Sequence, residues 1–153
     1  MPINVSRAAE FTVALPRAQA MALFTAEGER EWAGHGWDPR FQSPARRDGS
    51  GAVFTTGHAG HNTTWVMVDH RPECVRYVRV TDGLTAGTVT VEVVADVDAG
   101  GYVNATRVRV TYDLTALSAV GERWLADFDA GYAAEIASWA DAIADAIERR
   151  SGD

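Results

Sequence analysis

Apolar positions recur along this chain at two periods, every second residue through most of its length and every third or fourth near its end. Phe11, Val13 and Leu15 share one side of the segment 10–15, which predicts a half-buried strand. Pro16 suits a helix start and predicts a short helix over 17–24. Thr25 is placed to cap a second helix over 26–32, with Gly28 a weak spot and Gly34 its stop. Five strand-like runs follow, over 52–56, 63–70, 74–81, 85–96 and 102–114. The first two flank a loose turn at 57–62, and Asp82-Gly83 and Gly100-Gly101 are the later turn signals. Val89, Val91 and Val93 face one way, Thr88, Thr90 and Glu92 the other; Val108, Val110 and Tyr112 similarly oppose Arg107, Arg109 and Thr111. The last segment switches period. Leu117, Val120, Trp124, Phe128, Tyr132, Ile136, Trp139, Ile143 and Ile147 form one stripe along an amphipathic helix, ~45–50 Å long at about 1.5 Å per residue, with a bend expected near Gly131.

Strand, two short helices, antiparallel meander, long helix: that order constrains the architecture. One helix cannot cover both faces of a sheet of six to seven strands, so the sheet must curl around it. The expectation is a single α+β domain over 1–153, a curved antiparallel sheet gripping the C-terminal helix, with a cavity between them. The stretch 33–51, with Gly34, Gly36, Pro39, Pro44, Gly49 and Gly51, reads as a long loop with a short edge strand near 40–43, and loops of that length are often functional.

Composition narrows the function classes. The net charge is −7, and 14 basic residues stand against 21 acidic ones, which leaves no basic face for nucleic acid. Every basic residue is Arg. The longest stretch without Asp, Glu, Lys or Arg, 49–68, is rich in Gly, Thr, His and Asn rather than apolar, so no spanning helix is expected. The single cysteine, Cys74, excludes an internal disulfide and reads as a buried structural thiol. The N-terminal residues carry no leader pattern, which predicts a cytoplasmic protein. There is no phosphate loop, dinucleotide fingerprint or nucleophile elbow. His58 and His61 share a turn, with His35 and His70 elsewhere; they lack a third ligand nearby, so no metal and no cofactor are expected.

Local motifs add a resemblance. The runs 27–32 (EGEREW), 36–41 (GWDPRF), 51–56 (GAVFTT), 64–66 (TWV) and 111–115 (TYDLT) resemble the helix-grip superfamily that includes START lipid-transfer domains, birch-pollen allergens and bacterial polyketide cyclase/dehydrase-like proteins, often called SRPBCC. They are similar to a bacterial branch with no settled function. The resemblance implies a mostly apolar pocket for a small organic molecule; fold alone does not give the chemistry.

Candidate residues follow from strand parity. Phe54, Trp65, Met67, Tyr77, Val91 and Val110 are expected to line the pocket from the sheet, with Tyr112. Trp124, Phe128 and Tyr132 line it from the helix, and Trp37 stands in the long loop as a lid or an anchor. Trp124 and Trp139, on the helix stripe, read first as plain core. If Trp65 and Met67 face inward, Asp69 does too and His70 faces out; with Val66 and Val68 inward, His70 does instead. Tyr77 and Arg79 share a face, and an inward Arg79 is costly unless paired or used on an anionic ligand. Asp69 with Arg79 is thus a possible internal pair, and Asp69, Tyr77, Arg79 and Tyr112 are the candidates for proton transfer. Glu92 with Arg107 or Arg109 reads as outer-face charge pairing. Three functions compete: binding of a small hydrophobic molecule, supported by an open, almost wholly apolar cavity; a cyclase/dehydratase-type enzyme, supported by an open cavity with at least two convergent polar groups; and an Hsp90-activator-like interaction module, supported by a filled interior. A homodimer covering a sheet edge is also compatible with the sequence.

Overall fold

The computed structural model describes residues 3–43, 46–47, 49–99 and 103–152. The expected Gly100-Gly101 turn, the strand start at Tyr102, and Pro44 of the long loop lie outside the described residues. Seven antiparallel strands form one sheet: β1 (Asn4–Val13), β2 (Arg40–Phe41), β3 (Val53–His58), β4 (His61–Arg71), β5 (Cys74–Thr81), β6 (Thr85–Ala99) and β7 (Val103–Ala116). Their order is β1-β7-β6-β5-β4-β3-β2, a meander whose first strand closes beside its last. Helix α1 (Arg17–Ala22) follows β1, and α2 (Ala119–Ser151) follows β7. This is the helix-grip arrangement expected from the sequence.

Several boundaries move for identifiable reasons. β1 begins six residues before the expected start at Glu10 because its N-terminal half pairs fully with β7, Asn4 opposite Thr115. The second short helix is only a 3-10 turn over Gly28–Glu31. Its N-cap is Glu27, which makes no side-chain capping bond; the Thr25 hydroxyl, two residues earlier, accepts from the Gly28 N–H at 3.1 Å. At Gly28 an added Cβ would lie 1.9 Å from the Ala22 carbonyl oxygen, so α1 and the turn are pressed together through a glycine. The β3–β4 connection is tighter than the loose turn expected: Ala59 and Gly60 both have positive φ, 51° and 81°, the geometry of a two-residue hairpin. The strands therefore run on through His58 and His61.

α2 is held at both ends. Ser118 caps it, accepting from the Gly121 N–H at 3.0 Å while its hydroxyl donates to the Gly83 carbonyl at 2.6 Å. Gly121 lets the first turn approach β6's entry so closely that a Cβ would sit 1.9 Å from the Leu84 carbonyl oxygen. At the far end Arg150 pairs with Glu31 at 2.7 Å and Arg149 donates to the Glu31 carbonyl at 3.1 Å. In the middle, the Tyr132 hydroxyl donates to the Val110 carbonyl at 2.6 Å. The helix is hydrogen-bonded without interruption through Gly131. Leu117 and Val120, placed on the buried stripe by periodicity, are exposed, and it is Gly121 that the first turn packs against Leu84; Leu125 and Ala146 are buried instead.

The packing of α2 creates the cavity. It lies against β1 and β7. The concave face of β3, β4 and β5 is left to be closed by side chains and by the segment after α1. No helix among the described residues is long and apolar enough to cross a membrane.

Candidate functional site

The cavity has two communicating lobes. One, of about 490 Å³, opens beneath the segment 33–37 and the β3–β4 hairpin. The other, of about 350 Å³, runs along α2 past Trp124, Phe128 and Tyr132. Both are within the range of small-molecule sites. His58, Arg79, Tyr112, Glu135 and Trp139 line both lobes and mark where they meet.

Aromatic rings build most of the wall. All five tryptophans of the chain line one lobe or the other. Trp37 donates its indole N–H to the Ala26 carbonyl at 2.9 Å and packs edge-on to Trp65, centroids 5.8 Å apart. It is thus both the anchor of its loop and part of the cavity roof. Trp65 donates to the Thr56 hydroxyl at 2.9 Å and stacks on Phe54. Trp32 donates to the Leu23 carbonyl at 2.8 Å and meets Trp139 at 5.2 Å. Trp124 stacks on Phe128, centroids 5.2 Å apart. Trp124 and Trp139 are half-buried cavity residues rather than plain core.

Strand parity is decided by a bulge. Trp65 and Met67 face inward, opposite Arg79 and Tyr77. The register then shifts between Met67 and Asp69, so Asp69 stands opposite outward-facing Arg76 and His70 opposite buried Val75. One extra residue reverses every side chain beyond it. Asp69 accordingly pairs with Arg71 at 2.8 Å on the outside, and the Asp69–Arg79 pair considered above does not form. His70 shares the inner side with Val75 but is itself exposed. Tyr77 is no proton-transfer candidate either, since its buried hydroxyl donates to the Phe24 carbonyl at 2.9 Å. Phe54, Met67, Tyr77, Val91 and Val110 lie in the closed core beneath the cavity rather than on its wall. Outside, Arg109 reaches Glu92 at 3.5 Å and Glu10 at 2.8 Å, and Arg107 also bonds Glu10. Cys74 is buried, and burial pushes its thiol pKa up. Among the described residues no cluster of three metal-ligating side chains occurs.

Several polar groups converge on the cavity, among them Arg79, Tyr112 and Glu29 as well as His58 and Glu135. Arg79 projects from β5 with its guanidinium between two indoles, 5.4 Å from the Trp65 centroid and 5.4 Å from that of Trp124. Its one protein hydrogen bond is to the Thr85 hydroxyl at 3.3 Å, and it makes no ion pair among the described residues. Burial lowers its pKa from the ordinary arginine value, yet a guanidinium stays protonated in proteins. Tyr112, from β7, makes no hydrogen bond through its hydroxyl to the described residues, and burial pushes its pKa up. Glu29, in the 3-10 turn, was not singled out by sequence reasoning. Its neighbours Glu27 and Glu31 are paired with Arg30 and Arg150, whereas Glu29 has no polar partner among the described residues. It is half-buried against the cavity wall, and desolvation raises its pKa well above the ordinary carboxylate value. In a row of three acids at alternate positions, no sequence signal distinguishes the one that turns inward.

Comparison with known proteins locates the fold. The structure is similar to that of an uncharacterised protein from Rhizobium leguminosarum, with 16% identity, a TM-score of 0.67 and 97% of each chain covered. A protein of unknown function from Staphylococcus aureus is similar over 99% of this chain and 98% of its own, with 11% identity and a TM-score of 0.70. Norcoclaurine synthase from Thalictrum flavum is similar over 95% of this chain and 87% of its own, with 12% identity and a TM-score of 0.65. At these identities the likeness is one of fold. No family model and no curated protein matches the chain.

Proposed function

We propose that this chain binds a small, largely aromatic organic molecule in the cavity between its sheet and α2. The observation that carries this reading is the gathering of all five tryptophans around one open cavity of about 490 Å³ with its adjoining lobe. Rings placed there would contact a flat ligand on its faces and edges. Burial contributes about 25 cal/mol per Å² of apolar surface, and offset or edge-on ring pairs add roughly 0.5–1.5 kcal/mol each. The helix-grip fold accommodates such cargo elsewhere: the norcoclaurine synthase of Thalictrum flavum was solved in complex with dopamine and hydroxybenzaldehyde. The open interior disfavours an interaction module, which needs it filled.

A second reading is an enzyme working in the same cavity. It is favoured by Glu29, whose raised pKa holds it protonated over a wider pH range, beside a cavity that also presents Arg79 and the Tyr112 hydroxyl. Glu29 would then be a general acid toward a bound carbonyl compound, with Tyr112 and Arg79 stabilising the oxygen that gains charge. Glu29 thereby replaces Asp69 in the proton-transfer role.

Native mass spectrometry of the freshly purified protein, with organic extraction, tests the binding reading. Excess mass that extraction returns as an aromatic compound supports it. A clean apo mass, together with unchanged tryptophan fluorescence across a panel of aromatic compounds, contradicts it.

A further inference from the structure

Arg79 stands on the cavity without a carboxylate partner among the described residues. Every other arginine with a paired carboxylate sits at the surface, as Arg71 does with Asp69 and Glu73. Arg79 instead stands where the two lobes meet, desolvated, with one hydrogen bond and two indole faces. Contact with an aromatic face offsets part of the cost of burying a cation, about 0.5–2 kcal/mol per ring. It leaves the forked N–H donors in the guanidinium plane free, because the rings lie against the faces of the group or its edges and accept no conventional hydrogen bond. A planar donor fork opening on an aromatic-walled space matches a carboxylate attached to a flat ring system.

We infer that the ligand is an aromatic monocarboxylate, its carboxylate on Arg79 and its rings against Trp65, Trp124 and Trp139. This inference rests on the cavity being the binding site. A phosphate dianion fits less well. The same space contains the Glu29 and Glu135 carboxyls, and Arg79 is the one cationic arginine among its lining residues. The Tyr112 hydroxyl, which has no protein partner among the described residues, supplies a second donor to a carboxylate oxygen.

The test compares 2-naphthoate with its neutral isostere 2-naphthamide by calorimetric titration at neutral pH. Wild-type protein should bind the naphthoate roughly ten- to a hundredfold more tightly, the usual worth of a hydrogen-bonded charge pair. In R79M that preference should vanish, naphthoate losing more affinity than naphthamide, and R79K should restore part of it. Equal affinity of the wild-type protein for the two compounds overturns the inference while leaving the cavity reading intact. Binding of neither overturns both. The wild-type comparison stands by itself should R79M fail to fold, which circular dichroism would reveal.

Discussion

Glu29 carries a stability cost that grows with pH. A carboxyl whose folded pKa is raised holds its proton more tightly in the folded state than in the unfolded one. Its favourable share is fully present below the unfolded value, near 4.5, and is lost as pH rises through the higher folded value. E29Q should therefore melt above the wild type at pH 8, and the difference should shrink toward pH 4; equal melting temperatures at pH 8 would count against a desolvated Glu29. Tyr132 makes the opposite kind of contribution. Its hydroxyl bonds the Val110 carbonyl from a fully buried position, so Y132F should cost about 1–3 kcal/mol in denaturant unfolding by leaving that carbonyl with one partner fewer. Single residues were also where the sequence was least legible. The inward cost of Arg79 could be read from its alternation with Tyr77, and so could the two ways of meeting it, a partner or an anion. The choice between them turned on Val68, an ordinary valine in a valine-rich strand that becomes the extra residue of a bulge. Glu29 was hidden for a related reason: Glu27 pairs with Arg30 three residues on, but the partner of Glu31, Arg150, is brought near only by the fold.

At the scale of elements, periodicity found the strands and the long helix, since both must bury one face. β5 came out at its observed limits, and β6 and β7 differ only by pairing that extends at their ends. The ends of elements were set by close approaches that hydrophobic patterning does not encode. Gly28 and Gly121 permit two such approaches, and G121A should destabilise the protein by about 1–3 kcal/mol because backbone, not a pliable side chain, must move. Gly131 is the contrasting case. It lies mid-helix on the second lobe with open space where a Cβ would be. G131L should stabilise α2 by up to about 1 kcal/mol, since glycine is a poor helix former. The added side chain would also occupy the lobe, so ligand affinity should fall while the melting temperature rises. A parallel fall in both would show that Gly131 is there for packing.

For the whole molecule, the curl of the sheet and the need for a cavity followed from counting: seven strands make a groove wider than one helix fills. Which part stays open did not follow, because it depends on α2 leaning toward β1 and β7 and on the segment 33–37 roofing the other side. Val66, Val78 and Val80, on the outward faces of β4 and β5, line neither lobe of the cavity. The central claim is thus one of place, that small aromatic molecules enter this cavity and contact its tryptophans. A proton–nitrogen correlation spectrum recorded during titration with 2-naphthoate tests it most directly, because each tryptophan contributes its own indole N–H signal. The account predicts the largest shifts at the indoles of Trp65, Trp124 and Trp139, with the backbone signals of Val66, Val78 and Val80 moving far less. Shifts centred on those valines, or indole signals that stay fixed at saturating ligand, would contradict it.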